Sequence, residues 1–324
     1  MGLQAAIAQV GIAKQSVKGT PIANPTHGHG VLSGTIMTAD IQQGLEDHTS
    51  STRVSSGVNR TGVICGMDLT ARAHSKSVGL WLYAALGGYS VSGAGPYTHV
   101  ITSGSDLPYL TAFGKMGSNI YAVNDLKLDS MDISWTENEP LEIAVSGIGT
   151  TPNLAATYVP VADDTLTSYF TAGIGTFTVD VDGGGATSAT AKITAGSISI
   201  KNGTSAVMVS GSITPDDVFV GRQEVEVSFD VVPDDLLLWR TILTAASGGT
   251  TVSASPTYGT FSHVFTLGSD TLTLAASRVA FTTDNPDIDP AGGPVTITLA
   301  GLAVQPAAGG TPLTATLINT HVTY

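Results

Sequence analysis

The chain has 324 residues, of which 12% are charged and 42% hydrophobic, with 38 glycines, 26 acidic against 13 basic residues and a net charge of −13. That length allows one large or two medium domains, each able to bury its own core. The acidic balance excludes general nucleic-acid affinity, because a duplex carries one negative charge per roughly 1.7 Å of axis; the low charged fraction leaves little ionic surface for a solitary monomer and suits a surface covered by neighbours.

Cys65 is the only cysteine, so neither an internal disulfide nor a cysteine-rich metal site is available. The opening "MGLQAAIAQVGIAKQS" has no basic region ahead of its apolar residues, and no secretory signal is expected. Ala6 stands where the myristoylation pattern wants Ser or Thr. No apolar run reaches the ~18 residues of a membrane-spanning helix.

In chain order, Met1 to Val31 reads as an extended arm, followed by an alternating strand, "SGTIMTAD", at Ser33 to Asp40. A polar loop from Ile41 to Thr61 precedes the strand "VICGMDLTA" from Val63. Ser75 then opens a helix whose Val78, Trp81, Leu82 and Ala85 share one face and which Gly87-Gly88 ends. "YTHVITSGSD" at Tyr97 to Asp106 and "PLEIAVSGIGTTP" at Pro140 to Pro152 complete this half.

The second half repeats the order. "AGSISIKN" at Ala195 to Asn202 answers the first strand, and a polar loop runs from Gly203 to Arg222. In "EVEVSFDVV", Val225, Val227, Phe229 and Val231 face a core while Glu224, Glu226, Ser228 and Asp230 face outward. Pro233 suits the first turn of a helix, Asp234 and Asp235 its positive end, and Leu236, Trp239, Leu243 and Ala246 its buried stripe. "LTAASGG" at Leu243 to Gly249 matches "LYAALGG" at Leu82 to Gly88; "FSHVFTLGSD" at Phe261 to Asp270 matches "YTHVITSGSD"; "PVTITLAGLAVQP" at Pro294 to Pro306 matches the closing strand. A fainter match joins Gly11-Ile12 to Gly173-Ile174. Ordered matches at a nearly constant offset predict a mainly β chain of two tandem copies, residues 1–155 with the arm and 156–324 with a C-terminal tail. Each copy is expected to carry one helix among its strands.

Chemistry is sparse. HExxH, GxSxG, Walker and GxGxxG patterns are absent, so no catalytic residue and no cofactor is expected. "HGH" at His27 to His29 has metal-ligating residue types, but Pro25 and the glycines place it on a flexible arm. His99 and His263 hold equivalent places in the matched blocks and read as structural hydrogen-bonding residues. The acidic stretches Asp180 to Gly185 and Thr283 to Gly293 carry the residues that hairpin turns demand and lack EF-hand spacing, so no metal is expected.

"VGIAKQSVKGTPIANPT", then an alternating strand, a long loop, a strand, the "WLYAALGG" helix and "YTHVITSGSDLP", resembles the major tail tube proteins of long, non-contractile-tailed bacteriophages. The resemblance covers essentially the whole chain through block order. It implies two tandem tube domains, each a β-sandwich or small barrel flanked by a helix, whose sheets join side by side into a ring around a channel, with rings stacking into a tube. In such a sixfold ring a chain with two copies fills two positions, so three chains close it. The implied partners are the chain itself, a tape-measure protein, a tail terminator and tail-tip proteins, with viral DNA passing through the lumen without sequence-specific binding and no membrane. The implied location is the virion tail, assembled in the host bacterial cytoplasm.

Physical reasoning agrees with that resemblance: an open sheet edge invites another strand, and head-to-tail stacking does not close, hence a filament. The long loops supply candidate contacts to the next ring, Glu46, Asp47, Arg53 and Arg60 in one copy and Asp216, Asp217 and Arg222 in the other. The arm and the tail Gly309 to Tyr324 are secondary candidates. The rival reading is a tandem β-sandwich surface or adhesion protein that binds a ligand.

Overall fold

The computed structural model describes residues 8–45, 57–161, 168–182, 192–286 and 294–324. Period-two alternation of Val, Ile, Leu and Phe with Ser, Thr and acidic residues produces strands throughout, and the protein is mainly β. The first half contains β1 (Gln9–Lys14), β2 (His27–His29), β3 (Val31–Leu45), β4 (Val58–Arg72), helix α1 (Val78–Leu86), β5 (Gly87–Ser92), β6 (Tyr97–Ser103), β7 (Leu110–Met116), β8 (Asn119–Thr136), β9 (Glu142–Gly149) and β10 (Thr151–Asn153). The second contains β11 (Gly175–Asp180), β12 (Lys192–Lys201), β13 (Ser205–Val207), β14 (Asp217–Phe219), β15 (Glu224–Val232), helix α2 (Leu237–Thr244), β16 (Thr257–Leu267), β17 (Asp270–Thr283), β18 (Ile297–Ala303) and β19 (Thr314–Asn319).

The two halves pair their strands in the same antiparallel order. In the first it is β3-β4-β9-β8-β7-β1, with β10 also on β8. In the second it is β12-β15-β18-β17-β16-β11, with β19 also on β17. Long β8 pairs with β7 along its first part and with β9 along its last, whereas β17 pairs with β16 from Asp270 to Phe281 and with β18 from Val279 to Thr283. Register agrees as well. Gly34 lies opposite Leu69, which lies opposite Val145; Gly196 lies opposite Phe229, which lies opposite Leu299. Both edge strands carry an irregularity just before that glycine, between Val31 and Ser33 and between Ile193 and Ala195. Gly117 and Gly268 turn the β7-β8 and β16-β17 hairpins with φ of 64° and 62°, a conformation open to glycine at little cost.

Pairing corrects two of the sequence matches. "YTHVITS" forms β6, which pairs with β5 and β19, whereas "FSHVFTL" lies in β16 between β11 and β17. The counterpart of β16 is β7, and "MGSN" at Met116 to Asn119 is the turn that answers "LGSD" at Leu267 to Asp270. His99 and His263 are therefore not equivalent. Likewise Ile12, opposite Ala112, corresponds to Phe177, opposite His263, so the match of Gly11-Ile12 to Gly173-Ile174 is displaced by three residues. An alternating strand followed by Gly-Ser is spelled by local needs, while a strand's identity is set by its partners.

The core forms where alternation predicts it. Cys65, Met67, Leu69 and Ala71 of β4 and Val225, Val227, Phe229 and Val231 of β15 are all buried. The helices differ from expectation. Ser77, not Ser75, precedes α1, and Gly87 in the left-handed region ends it. The helix is buried almost all round rather than along one stripe, with the Tyr324 ring against Gly79 where a side chain has no room. In α2 the Asp235 carboxylate accepts the Leu237 N–H at 2.8 Å, so the helix starts after Pro233 and the two aspartates. Leu236 is left exposed, Leu238 and Thr241 face inward, and Ala245 turns left-handed before Ala246 is reached. The expected loop Ile41 to Thr61 is strand at both of its described ends, where β3 and β4 stay paired out to Leu45 opposite Val58, and its residues 46–56 lie outside the described residues. The loop Gly203 to Arg222 folds into the β13-β14 hairpin.

Gly196 faces Trp135 across a strand pair, and a β-carbon there meets the indole ring. Gly196→Val is expected to cost about 1–3 kcal/mol by overpacking and to shift tryptophan emission as Trp135 is displaced. Urea melts monitored by fluorescence check this; an unchanged midpoint and spectrum contradict it.

Candidate functional site

Strand pairing stays within residues 1–155 and 156–324 at every named ladder except two, β8-β12 and β6-β19. The first is the central join. Ala195 to Lys201 runs antiparallel to Thr136 to Ser130 over seven facing pairs. On the inner side Ile198 meets Ile133, Ile200 meets Met131 and Gly196 meets Trp135, with every one of those apolar side chains buried. On the outer side Ser197 and Ser199 meet Ser134 and Asp132.

A polar clamp closes the end of this ladder. Fully buried Asn202 donates its backbone N–H to the Asp129 carbonyl at 2.7 Å and its side-chain amide to the Ala85 and Leu128 carbonyls at 3.0 and 3.2 Å. Its Oδ1 accepts from Gln223 Nε2 at 3.0 Å, while the Asp129 carboxylate accepts the Thr204 N–H and hydroxyl at 2.7 and 2.8 Å. Buried amides held this way resist a register slip, because a slip leaves them unpaired.

The join makes one sheet face from both halves. A single row of facing residues crosses eight strands: Ser33, Thr70, Ala144, Asp132, Ser199, Glu226, Leu302 and Ala280. Neighbouring rows add Asp68, Ser146 and Ser130 on one side and Glu142, Ser134, Ser197, Ser228, Ala300 and Thr282 on the other. Small polar and acidic side chains dominate. Of the nearby cations, Lys201 is held by Glu226 at 2.5 Å, and Arg72 lies over the Tyr169 ring, 5.4 Å from its centre.

Among the described residues β2, β3, β5, β10 and β11 each pair with a single strand, and two open edges belong to the sheet that the join extends. Strand β3 pairs only with β4. On β17 the β16 ladder stops at Thr257 opposite Phe281, while pairing with β18 continues to Thr283 opposite Leu299.

Of the residues singled out by sequence, Glu46, Asp47 and Arg53 lie outside the described residues. Arg60 is exposed on β4 opposite Gln43. Asp216 and Asp217 bind Lys18 of the N-terminal segment at 3.2 and 3.1 Å, and Asp217 also accepts the Tyr109 hydroxyl at 2.9 Å. Arg222 lines a cleft of about 480 Å³ with Leu86, Asp106, Asn202 and Gln305. Among the described ones, Arg60, the Asp216-Asp217 pair and Arg222 thus have different neighbours. The described part of the arm and the tail are built into the fold: β1 pairs with β2 and β7, and β19 pairs with β17 and β6. The sequence reading missed the β8-β12 join, whose signal was the serine-isoleucine alternation in Ala195 to Lys201.

"HGH" is not a flexible arm. It forms β2, paired along β1 and buried, with Pro25 packed on Gly11 beside it. Trp81 donates its indole N–H to His29 Nδ1 at 3.0 Å, and His27 Nε2 lies 3.2 Å from His321 Nε2. Burial first, then the neighbouring imidazoles, push His27 down to about 4 and His29 to about 3. Burial alone pushes His263 to about 4; its ring stacks on Phe265. His99 bridges Tyr89 at 2.9 Å and Asn319 at 3.0 Å. No group of three or more metal-ligating side chains occurs among the described residues, and no helix there is long and apolar enough to cross a membrane. Neither the protein-family comparison nor the comparison with curated proteins returns a match for this sequence.

The buried histidines set a pH dependence. Their folded pKa values lie below the ordinary 6.5, so the unfolded chain binds more protons and stability falls as pH drops from about 6.5 towards 4. At pH 5 each is expected to remove roughly 2 kcal/mol. Urea midpoints between pH 7.5 and 5 check the slope, which His263→Leu should flatten relative to the parent chain; a pH-independent midpoint contradicts it.

Proposed function

We propose that this chain is a structural subunit of a hollow tube, a phage-tail-like conduit whose rings each contain three chains and six tube domains. The observation carrying the proposal is the β8-β12 ladder: two halves with the same strand order join sheet edge to sheet edge, in register, within one polypeptide. Such a join is the ring contact made covalent. Strand β3, the counterpart of β12, keeps its outer edge open, and an exposed edge is a template for another strand.

The acidic, small-residue face supports the conduit reading. Tight duplex binding needs cations that release counterions from phosphates; here Asp68, Asp132, Glu142, Glu224, Glu226 and Asp230 share a face with Lys201 and Arg72. DNA threading past such a wall finds few places to stick. A tape-measure protein, a terminator and tip proteins are the partners this role requires.

Electron microscopy of the purified chain is expected to show rings or tubes with six features per turn. Particles that stay single across all concentrations contradict the proposal. In assembled tubes, replacing Asp132, Glu226 and Asp230 with Lys is expected to give DNA retention that weakens steeply with salt; equal DNA passage and no salt dependence speak against this face as the channel wall.

A further inference from the structure

The internal join has a missing twin. The strand order β3-β4-β9-β8-β7-β1 of the first half has its counterpart in β12-β15-β18-β17-β16-β11 of the second, so the ladder between the halves predicts which edges meet between chains. Within the chain, β12 of the second half docks on the last part of β8 in the first. The counterpart of β12 is β3, and that of the last part of β8 is the end of β17. We propose that β3 of one chain pairs antiparallel with the end of β17 of a second copy, extending the sheet head to tail. This rests on the ring reading above and deepens it by naming the edges and their register.

Register transfers through shared neighbours. Ser199 and Thr38 correspond, because they lie opposite Glu226 and Gly66, which lie opposite Leu302 and Ile148. Asp132 and Asp284 correspond: Asp132 faces Ala144, while Asp284 donates its backbone N–H to the Thr298 carbonyl at 3.3 Å and its side-chain carboxylate accepts the Thr298 N–H at 2.7 Å. The Ser199-Asp132 pair therefore predicts Thr38 opposite Asp284 between chains. Lys201 opposite Ser130 predicts Asp40 opposite Thr282 in the same way.

Both edges are prepared for this. The backbone still runs along β18 at Asp284, so its other side is free to be paired where β16 has already ended. On β3, Leu32 and Ile41 remain 47% and 46% exposed beside the open edge. The predicted pairs set Thr against Asp twice and never place two carboxylates directly opposite, which a sheet penalises.

Paired cysteines test the register. Thr38→Cys with Asp284→Cys, and separately Asp40→Cys with Thr282→Cys, are oxidised at assembling concentrations and run on denaturing, non-reducing gels. Buried Cys65 does not compete. The internal pair Asp132→Cys with Ser199→Cys sets the reference yield, and Thr35→Cys with Thr282→Cys is the out-of-register control. Both in-register pairs are expected to give bands at two and three chain masses, at least tenfold above the control. Rings visible by microscopy whose in-register pairs stay monomeric on the gel overturn these edges and leave the ring reading standing. Chains that remain solitary in every condition overturn both.

Discussion

An unpaired strand edge is costly when buried and adhesive when exposed, since each residue offers an N–H and a C=O that must find a partner. The β8-β12 ladder meets that requirement at the one place where the two halves touch most closely. Its consequences spread outward. Because side chains alternate across a strand, fixing this ladder assigns Ile198, Ile200, Ile133 and Met131 to the core and Ser197, Ser199, Ser134 and Asp132 to the outer face. A slip of one residue reverses all of them. Trp135 seated on Gly196 and the Asn202 clamp guard against that slip, one by shape and the other by the cost of stranding buried amides.

The halves share a plan without being interchangeable. The first inserts the β5-β6 hairpin between its helix and β7; the second runs from α2 to β16 without a named strand. That hairpin is where the C-terminal strand is held. Strand β6 pairs with β19 over six positions, and Asn319 donates to the Ser75 carbonyl at 2.6 Å and to the Tyr324 hydroxyl at 2.8 Å. Tyr324 in turn fills the space over Gly79. The C-terminal residues thereby pack on the first helix, which explains why that helix is buried all round while α2, lacking such a cover, buries only two residues.

Much of the fold was legible because alternation is local. The buried set of β15 and the strand counterparts at Gly34 and Gly196 follow from residues two apart. The closing strands were equally readable, since Pro140 and Pro294 introduce strands with the same neighbours on both sides. What local pattern does not encode is the identity of a partner. "YTHVITSGSD" and "FSHVFTLGSD" satisfy the same local rules and occupy different ladders. Contacts between distant segments are equally silent in local pattern: Asp217 and Lys18, 199 positions apart, meet as an ion pair.

Charge completes the proposed role. Twenty-six acidic residues against 13 basic ones would matter little if evenly spread, since exposed charges are screened beyond about 8–10 Å at ordinary salt. Strand periodicity prevents even spreading on the joined face, where Asp68, Asp132, Glu226 and Asp230 recur on strands drawn from both halves. Adjacent strands lie only about 4.8 Å apart, so neighbouring carboxylates act on a passing phosphate well inside the screening distance. Short serine, threonine and alanine side chains between them keep the surface low and free of hooks. A wall of that kind repels a polyanion without gripping it, and it arises from the same alternation that packs isoleucine and phenylalanine on the other side of the sheet.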